Sequence, residues 1–250
     1  MNDSPNRSIV RAATIVEELV GNDGLGVTEL ANRLDMPVST VHDYLRSLAD
    51  SGYVTSHDGN YSLTTKFLEV GHRQLRLSEV YGAAASELDA LARGTEEHVT
   101  LMVEEDLDGV LLAVVEGERA VDFIAYPGAK VPLHATAPGK AILAHLPDDR
   151  LDAFLETKGL PAITQNTITD AAELRRQLDA IRDRGYSVDV GERIAGMVLV
   201  AAPVLDRDDR VRGAICVAGP RDRFDEERRR EIAQRVMEYA NVVQVKMDYS

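Results

Sequence analysis

Apolar residues in the first third of the chain recur at intervals of three and four positions, which is the spacing of amphipathic helices. The pattern predicts helices over residues 8–20, 28–34 and 39–50. Asp58-Gly59 then separates two β-prone runs, and such a dipeptide between strands indicates a hairpin. Three short helices and one hairpin, in this order, are therefore expected.

Three residues mark where these helices begin and end. Ser8 and Thr28 are placed to cap the first two, since short hydroxyl side chains accept hydrogen bonds from free backbone N–H groups. Gly52 follows the third helix where a left-handed cap is favoured. The whole arrangement is typical of a winged helix-turn-helix, although modules that bind only proteins share the pattern.

The predicted third helix has one apolar and one polar face. Val41, Leu45 and Leu48 share the apolar face, at the spacing i, i+4 and i+7. Recognition helices place the opposite face against base edges and phosphates, which arginine and hydroxyl side chains bind. The residues that we expect to contact DNA are Ser39, Thr40, His42, Asp43 and Arg46.

The pattern changes near residue 94, where helix-prone sequence gives way to β-prone runs. Residues 66–93 contain no proline and predict one or two linker helices. Strands and helices then mix, which implies an α+β fold on a mostly antiparallel sheet. The predicted strands are 99–103, 109–115, 121–126, 197–205 and 211–217, and the predicted helices are 139–146, 149–157, 171–184 and 225–247. We expect three segments: 1–73, 74–93 and 94–250.

The charge of the chain bears on its partners. It has 42 acidic and 28 basic residues, a net charge of −14, and only five lysines. An acidic, lysine-poor surface is typical of a halophile's cytoplasm, and an acidic mesophilic protein is the alternative. Residues 1–75 hold six Lys/Arg against ten Asp/Glu, which opposes DNA binding because phosphate neutralisation supplies much of the affinity. Asp43 would itself repel phosphate or accept a hydrogen bond from the amino group of a cytosine.

Other features exclude several classes of protein. Cys216 is the one cysteine, so no internal disulfide or multi-cysteine zinc site can form. No apolar run reaches the roughly 18 residues that span a bilayer, and the first residues lack the apolar stretch of a signal peptide. We therefore expect a cytoplasmic protein with no membrane partner, no metal and no cofactor.

Over nearly its whole length the chain resembles the IclR family of transcription regulators. No single motif is decisive, but their order and separation are specific. The motifs are Thr28-Glu29-Leu30-Ala31, Ser39-Thr40-Val41-His42, Leu45-Arg46-Ser47-Leu48, Gly52-Tyr53-Val54, Leu133-His134-Ala135-Thr136-Ala137-Pro138-Gly139-Lys140-Ala141, Arg184-Gly185-Tyr186, Ala201-Ala202-Pro203-Val204 and Gly213-Ala214-Ile215.

The resemblance implies an N-terminal winged helix-turn-helix, a linker helix and a C-terminal GAF-like effector-binding domain. Family members form homodimers, often paired into tetramers, bind double-stranded operator DNA and sense small organic acids or aromatic compounds. The family often has arginine where this chain has Asp43. That departure puts any inherited operator sequence in doubt.

The resemblance also implies an effector pocket against the sheet. Its expected lining is Ala137, Pro138, Asp189, Met197, Leu199, Cys216 and Ala218. The family pattern has hydroxyls where Cys216 and Ala218 stand, and Pro138 lacks a backbone N–H that a ligand carboxylate would use. We therefore expect a small, substantially apolar effector, such as an aromatic acid, bound without metal or covalent bond.

Two alternatives from other classes remain. The acidic first domain fits a signalling adaptor that no longer binds DNA, and Cys216 with His134 would be the nucleophile and base of a hydrolase. Each residue also has an ordinary explanation, since Cys216 can be a small buried hydrophobe, His134 a packed turn residue and Asp189 a surface carboxylate. For self-association, residues 75–91 are the expected interface, through Ala83–85, Leu88 and Leu91.

Overall fold

The computed structural model describes residues 6–121 and 125–249. The chain divides into two compact units, Met1–Gln74 and Leu75–Ser250. The first unit contains three helices and a small sheet. Its elements are α1 (Arg7–Leu19), β1 (Leu25–Gly26), α2 (Val27–Arg33), α3 (Val38–Asp50), β2 (Val54–His57) and β3 (Asn60–Leu63), and α4 (Lys66–Leu77) begins within it.

The first unit is a winged helix-turn-helix, as predicted. Val41 and Leu45 of α3 are fully buried in its core. The hairpin of β2 and β3 turns at Asp58 and Gly59, whose φ angles of 50° and 81° are both in the left-handed region. Gly52, with φ of 78°, ends α3 in a left-handed cap, also as predicted.

The two predicted N-caps are wrong. Asn6 caps α1, since its side chain accepts a hydrogen bond from the backbone N–H of Ser8. Gly26 precedes α2 without a side-chain cap. For α2, the reason is a short strand that the pattern did not reveal. Leu25 and Gly26 of β1 pair with β3, so the chain passes directly from a paired strand into α2.

The second unit is built on one antiparallel sheet of six strands, in the order β6-β5-β4-β9-β8-β7. Helices α5 and α9 pack on one face, and α6, α7 and α8 on the other. The elements are α5 (Glu79–Thr95), β4 (His98–Glu105), β5 (Asp108–Val115), β6 (Lys130–Val131), α6 (Ala137–Leu143), α7 (Asp148–Thr157), α8 (Ala171–Arg184), β7 (Ser187–Val190), β8 (Met197–Leu205), β9 (Val211–Pro220) and α9 (Glu226–Asp248). Among the described helices, none is long and apolar enough to cross a bilayer.

Three sequence expectations need correction here. The strand expected at 121–126 falls partly on residues 122–124, which lie outside the described residues. Val121, Ala125 and Tyr126 are not in a strand. The strand at this edge of the sheet is β6 instead. The strand β7 was not predicted. Within the interface expected over residues 75–91, most of the named side chains are unavailable, because Ala83, Ala84, Leu88 and Leu91 are buried in the core that α5 shares with α9 and the sheet.

Candidate functional site

The expected DNA-contacting residues lie on the outer face of α3. Ser39, His42, Asp43 and Arg46 are exposed, and Thr40 is half-buried. Since Val41 and Leu45 anchor the opposite face, the helix presents these five side chains to solvent as one surface. Arg46 makes no ion pair with the residues that the structure describes, so its guanidinium is free to bind phosphate or a base edge.

Two other cations of the first unit are engaged within it. Arg33 donates to Glu18 at 2.9 Å and to Glu29 at 2.7 Å. Lys66 donates to the backbone oxygen of Ser51, the C-cap of α3, at 2.7 Å. Arg33 is thereby neutralised, whereas Lys66 keeps its charge at the C-terminal end of α3, and Arg46 is the one Lys/Arg within α3 itself.

Strand register brings the expected effector residues to one face of the sheet. Asp189 of β7 lies opposite Leu199 of β8, which lies opposite Ala218 of β9. Cys216 is two positions along β9, opposite Ala201. Side chains alternate across a strand, so Asp189, Leu199, Cys216 and Ala218 share a face, and Met197, 7 % exposed, lies two residues before Leu199 on that face.

Helix α6 covers this face with its first turn. Ala137 and Pro138 are its first two residues, both buried, and Ala137 packs in one cluster with Cys216 and Leu199. Thr136 caps the helix by accepting from the N–H of Gly139 at 3.2 Å. A Cβ on Gly139 would stand 2.2 Å from the backbone oxygen of Leu133, so only glycine allows this close approach.

Asp189 carries the most unusual electrostatics of this site. It is fully buried, and its Oδ1 accepts from the backbone N–H of Glu192 at 2.7 Å. Its Oδ2 has no hydrogen-bond partner among the described residues. Burial raises the pKa of Asp189 to about 7, and the negative charge of Glu192 adds to the shift. Asp189 is therefore a buried carboxyl poised between its neutral and charged forms, not a surface carboxylate.

The structure adds residues that sequence reasoning missed. Thr100 of β4 lies opposite Cys216, and His98 lies opposite Ala218, so both face the same site. Arg193, in the loop after β7, is partly buried; burial lowers the pKa of its guanidinium while the charge of Asp189 opposes that shift. The alternation of His98 and Thr100 was visible in the sequence, but the pairing of β4 with β9 was not.

A buried ion pair lies behind the site. Lys140 of α6 is 0 % exposed and donates through Nζ to Oε1 of Glu192 and, at 3.1 Å, to the backbone oxygen of Val188. Gln177 of α8 accepts a third hydrogen bond from Nζ at 3.3 Å. The pair therefore joins α6, β7, α8 and the loop after β7 through one ammonium group.

Cys216 and His134 do not form a catalytic arrangement. Cys216 is fully buried, so burial raises the pKa of its thiol well above the usual range and keeps it neutral. His134 instead hydrogen-bonds through Nε2 to the backbone oxygen of Pro161 at 3.0 Å. Within residues 6–121 and 125–249, no hydrogen bond joins the two side chains. The geometry gives the hydrolase alternative no support.

A winged helix-turn-helix followed along the chain by a separate sheet domain defines a class of two-domain DNA-binding proteins, and comparison with known proteins identifies the family. Residues 8–58 match the IclR helix-turn-helix domain, and residues 72–245 match the bacterial transcriptional regulator IclR C-terminal domain. The chain belongs to the IclR family and is a DNA-binding transcription regulator.

Individual relatives match along almost the whole chain. The HTH-type transcriptional regulator BhcR of Paracoccus denitrificans is 33% identical over 94% of this chain and 85% of its own. The Halobacterium salinarum protein named ArcR is 30% identical over 99% of this chain and 97% of its own. The crystal structure of the Thermotoga maritima IclR has a TM-score of 0.84 and 32% identity, covering 97% of this chain and 99% of that chain.

One solved relative contains a small molecule. An IclR homolog from Microbacterium hydrocarbonoxydans, complexed with 4-hydroxybenzoate, has a TM-score of 0.82 and covers 97% of this chain and 100% of that chain. Its sequence identity is 22%, so this likeness shows the fold alone.

Proposed function

We propose that this regulator reads operator DNA through Ser39, Thr40, His42, Asp43 and Arg46, and that a small organic effector bound under α6 modulates that reading. The exposed face of α3, opposite a fully buried Val41 and Leu45, is the observation that supports the first part. Recognition helices of this fold enter the major groove by such a face. The acidic surface and the small number of lysines favour work in a salt-rich cytoplasm.

Substitution of Arg46 tests the reading surface. Arg46→Ala should weaken binding to the DNA upstream of the protein's own gene about ten-fold or more, because a good base contact is worth roughly 1–3 kcal/mol. Fluorescence anisotropy measures the affinity, and thermal unfolding should be unchanged since Arg46 is exposed. Arg93→Ala, which removes an exposed arginine of α5 outside the first unit, is the matched control. Equal affinity of wild type and Arg46→Ala would contradict the assignment.

The effector is proposed to be a small, substantially apolar acid, such as an aromatic acid. Its apolar body would lie against Pro138, Met197, Leu199 and Ala218, which supply few polar partners. A buried carboxylate needs such partners, and a protonated Asp189 is able to donate one hydrogen bond to it. The 4-hydroxybenzoate held by the Microbacterium hydrocarbonoxydans homolog supports this class of ligand.

A thermal-shift screen tests the effector proposal, since a ligand that binds the folded state raises its stability. 4-Hydroxybenzoate and branched acids should stabilise the protein more than glyoxylate. Asp189→Ala should abolish that response and leave operator affinity without ligand nearly unchanged. Asp183→Ala, on an exposed carboxylate of α8, should keep the response. If only glyoxylate-like acids stabilise the protein, or if Asp189→Ala responds normally, the pocket is assigned wrongly.

We further propose that the protein acts as a homodimer, with a tetramer as its higher state. A two-fold dimer reads two inverted half-sites, whereas a single winged helix reads too short a sequence. Because the apolar face of α5 is buried in its own unit, α4 is the better surface: Leu68 and Val70 are 75% and 47% exposed, and no α4 residue is buried. Light scattering of Leu68→Glu should show dissociation; a dimer unaffected by this change would exclude α4.

A further inference from the structure

A cavity of about 510 Å³ lies beside the edge strand β7, apart from the face that α6 covers. Helix α8, β7, the loop after β7 and α9 all contribute to it. Its lining is mostly polar, unlike the apolar effector residues. The side chains that matter are Asn166, Gln177, Arg184, Val188, Glu192 and Arg229.

The two arginines of this cavity are not neutralised. Arg184 donates through Nε to the backbone oxygen of Tyr186 at 2.7 Å, and Arg229 through Nε to that of Asp225 at 3.3 Å. Neither arginine forms an ion pair within the described part of the chain, although the whole protein has a net charge of −14. Neighbouring arginines such as Arg182 and Arg230 do form ion pairs. Two guanidinium groups at one cavity are suited to a carboxylate or phosphate.

Glu192 supplies a second, independent feature. It is 7 % exposed, it lines the cavity, and its Oε2 has no hydrogen-bond partner among the described residues. An unpaired buried oxygen of this kind is costly unless a ligand or water donates to it. Lys140 already neutralises the carboxylate through Oε1. A hydroxyl group therefore fits Oε2 better than a second ammonium group would.

Addition of a strand from another copy does not explain the cavity. The outward backbone oxygens of β7 are occupied, because Lys140 donates to Val188 and Asn166 donates to Val190, each at 3.1 Å. An edge whose acceptors are already used is protected against strand pairing. The half-buried Val188 and Val190 side chains instead offer an apolar wall for a short carbon chain.

We propose that this cavity is a second ligand site, in which Arg184 and Arg229 bind the anionic group of a small hydroxylated organic acid and Glu192 accepts a hydrogen bond from one of its hydroxyls. The site is separate from the effector site proposed above, whose lining it does not share. Its ligand is polar where the effector is apolar, so the two sites select different molecules.

Isothermal titration calorimetry on the full chain tests the proposal with gluconate, glycerate and galacturonate as probes. At least one of them should bind, and it should bind better than hexanoate, which lacks hydroxyls, and glucose, which lacks the anion. Arg184→Gln and Arg229→Gln should each weaken that binding about ten-fold, as expected for loss of a charge-assisted hydrogen bond. Arg93→Gln removes an exposed charge of α5 that does not line the cavity, and it should bind the probe like wild type.

Several results would overturn the proposal. The first is failure of all three acids to bind, and the second is hexanoate binding as strongly as they do. The third is unaltered binding of the probe by both arginine variants. If Arg229→Gln changes the oligomeric state in light scattering while probe binding stays the same, the cavity serves self-association instead. Each of these outcomes is independent of operator affinity, which α3 determines.

Discussion

The two candidate sites differ in how water reaches their charged groups. On α3, Asp43 and Arg46 are exposed, belong to one helix and make no ion pair with a described residue. Under α6, Asp189 and Lys140 are both 0 % exposed and meet Glu192 across three different elements. Solvent screens the first set, so single changes there should alter binding and spare stability. The second set is screened little, so changes there should alter stability itself.

The largest effect should follow from breaking the buried ion pair. Lys140→Met keeps the length of the side chain and leaves the Glu192 carboxylate buried without its cation. Removal of one partner of a buried pair typically costs about 3–5 kcal/mol. Urea unfolding should show a loss of this size in the free energy of unfolding of the second unit.

The surface pair Arg230–Glu226 provides the matched comparison. Its side chains are 72% and 74% exposed and their charged atoms are 3.0 Å apart. Arg230→Met should change the free energy of unfolding by no more than about 0.5 kcal/mol. Equal effects of the two substitutions would remove the contrast between buried and exposed charge.

The next effect should appear in the pH dependence of stability. The folded pKa of Asp189, about 7, lies above the roughly 3.9 of an unfolded aspartate. The contribution of Asp189 to the free energy of unfolding is therefore fully present below about pH 4 and is lost as pH rises through 7. The wild type should lose about 2–4 kcal/mol over that range from this group. In Asp189→Asn the free energy of unfolding should fall less over the same pH range, and urea unfolding at several pH values would measure this.

Asp108 tests the sign of that argument. Its hydrogen bond from Lys158, at 2.7 Å, holds the pKa of Asp108 below its usual value. The contribution of Asp108 to the free energy of unfolding is therefore present above the unfolded pKa and is lost as pH falls. The free energy of unfolding of Asp108→Asn should differ from that of wild type at neutral pH and converge with it in acid. Asp189→Asn should show the opposite dependence. Parallel pH profiles for the two variants would refute the assignment of a raised pKa to Asp189.

The same contrast explains what the sequence could predict. The face of α3 depends on the spacing of Val41 and Leu45 within one helix, and the wing on the local Asp58-Gly59 turn, so both were predicted correctly. The polar network under α6 depends on contacts between distant residues, such as Lys140 with Glu192, 52 positions apart. No local pattern encodes the pairing of β4 with β9, or the four-residue strand that buries Asp189.

Local patterns also failed where tertiary pairing overrode them. Thr28 has the chemistry of an N-cap, but pairing of Leu25 and Gly26 with β3 starts α2 before it. The apolar side chains of α5 have the spacing of an interface, yet they are buried against α9 and the sheet of the same unit. Amphipathic spacing showed that α5 has a buried face and left open which surface covers it.

The smallest effect should be the salt dependence of operator binding. The logarithm of the binding constant falls with the logarithm of salt concentration by about 0.9 for each phosphate contact. Residues 1–75 hold only six Lys/Arg, and Glu18 and Glu29 neutralise Arg33, so few cations remain for phosphate; the slope should therefore be shallow and binding should persist in molar KCl. Asp43→Arg adds one exposed cation per protomer on the reading face, and it should steepen the slope by about 0.9 per protomer. Anisotropy titrations between 0.2 and 1 M KCl would measure both slopes. A steep slope for folded wild type would show that its affinity comes from phosphate neutralisation after all, and that the acidic surface is no adaptation of DNA binding to salt.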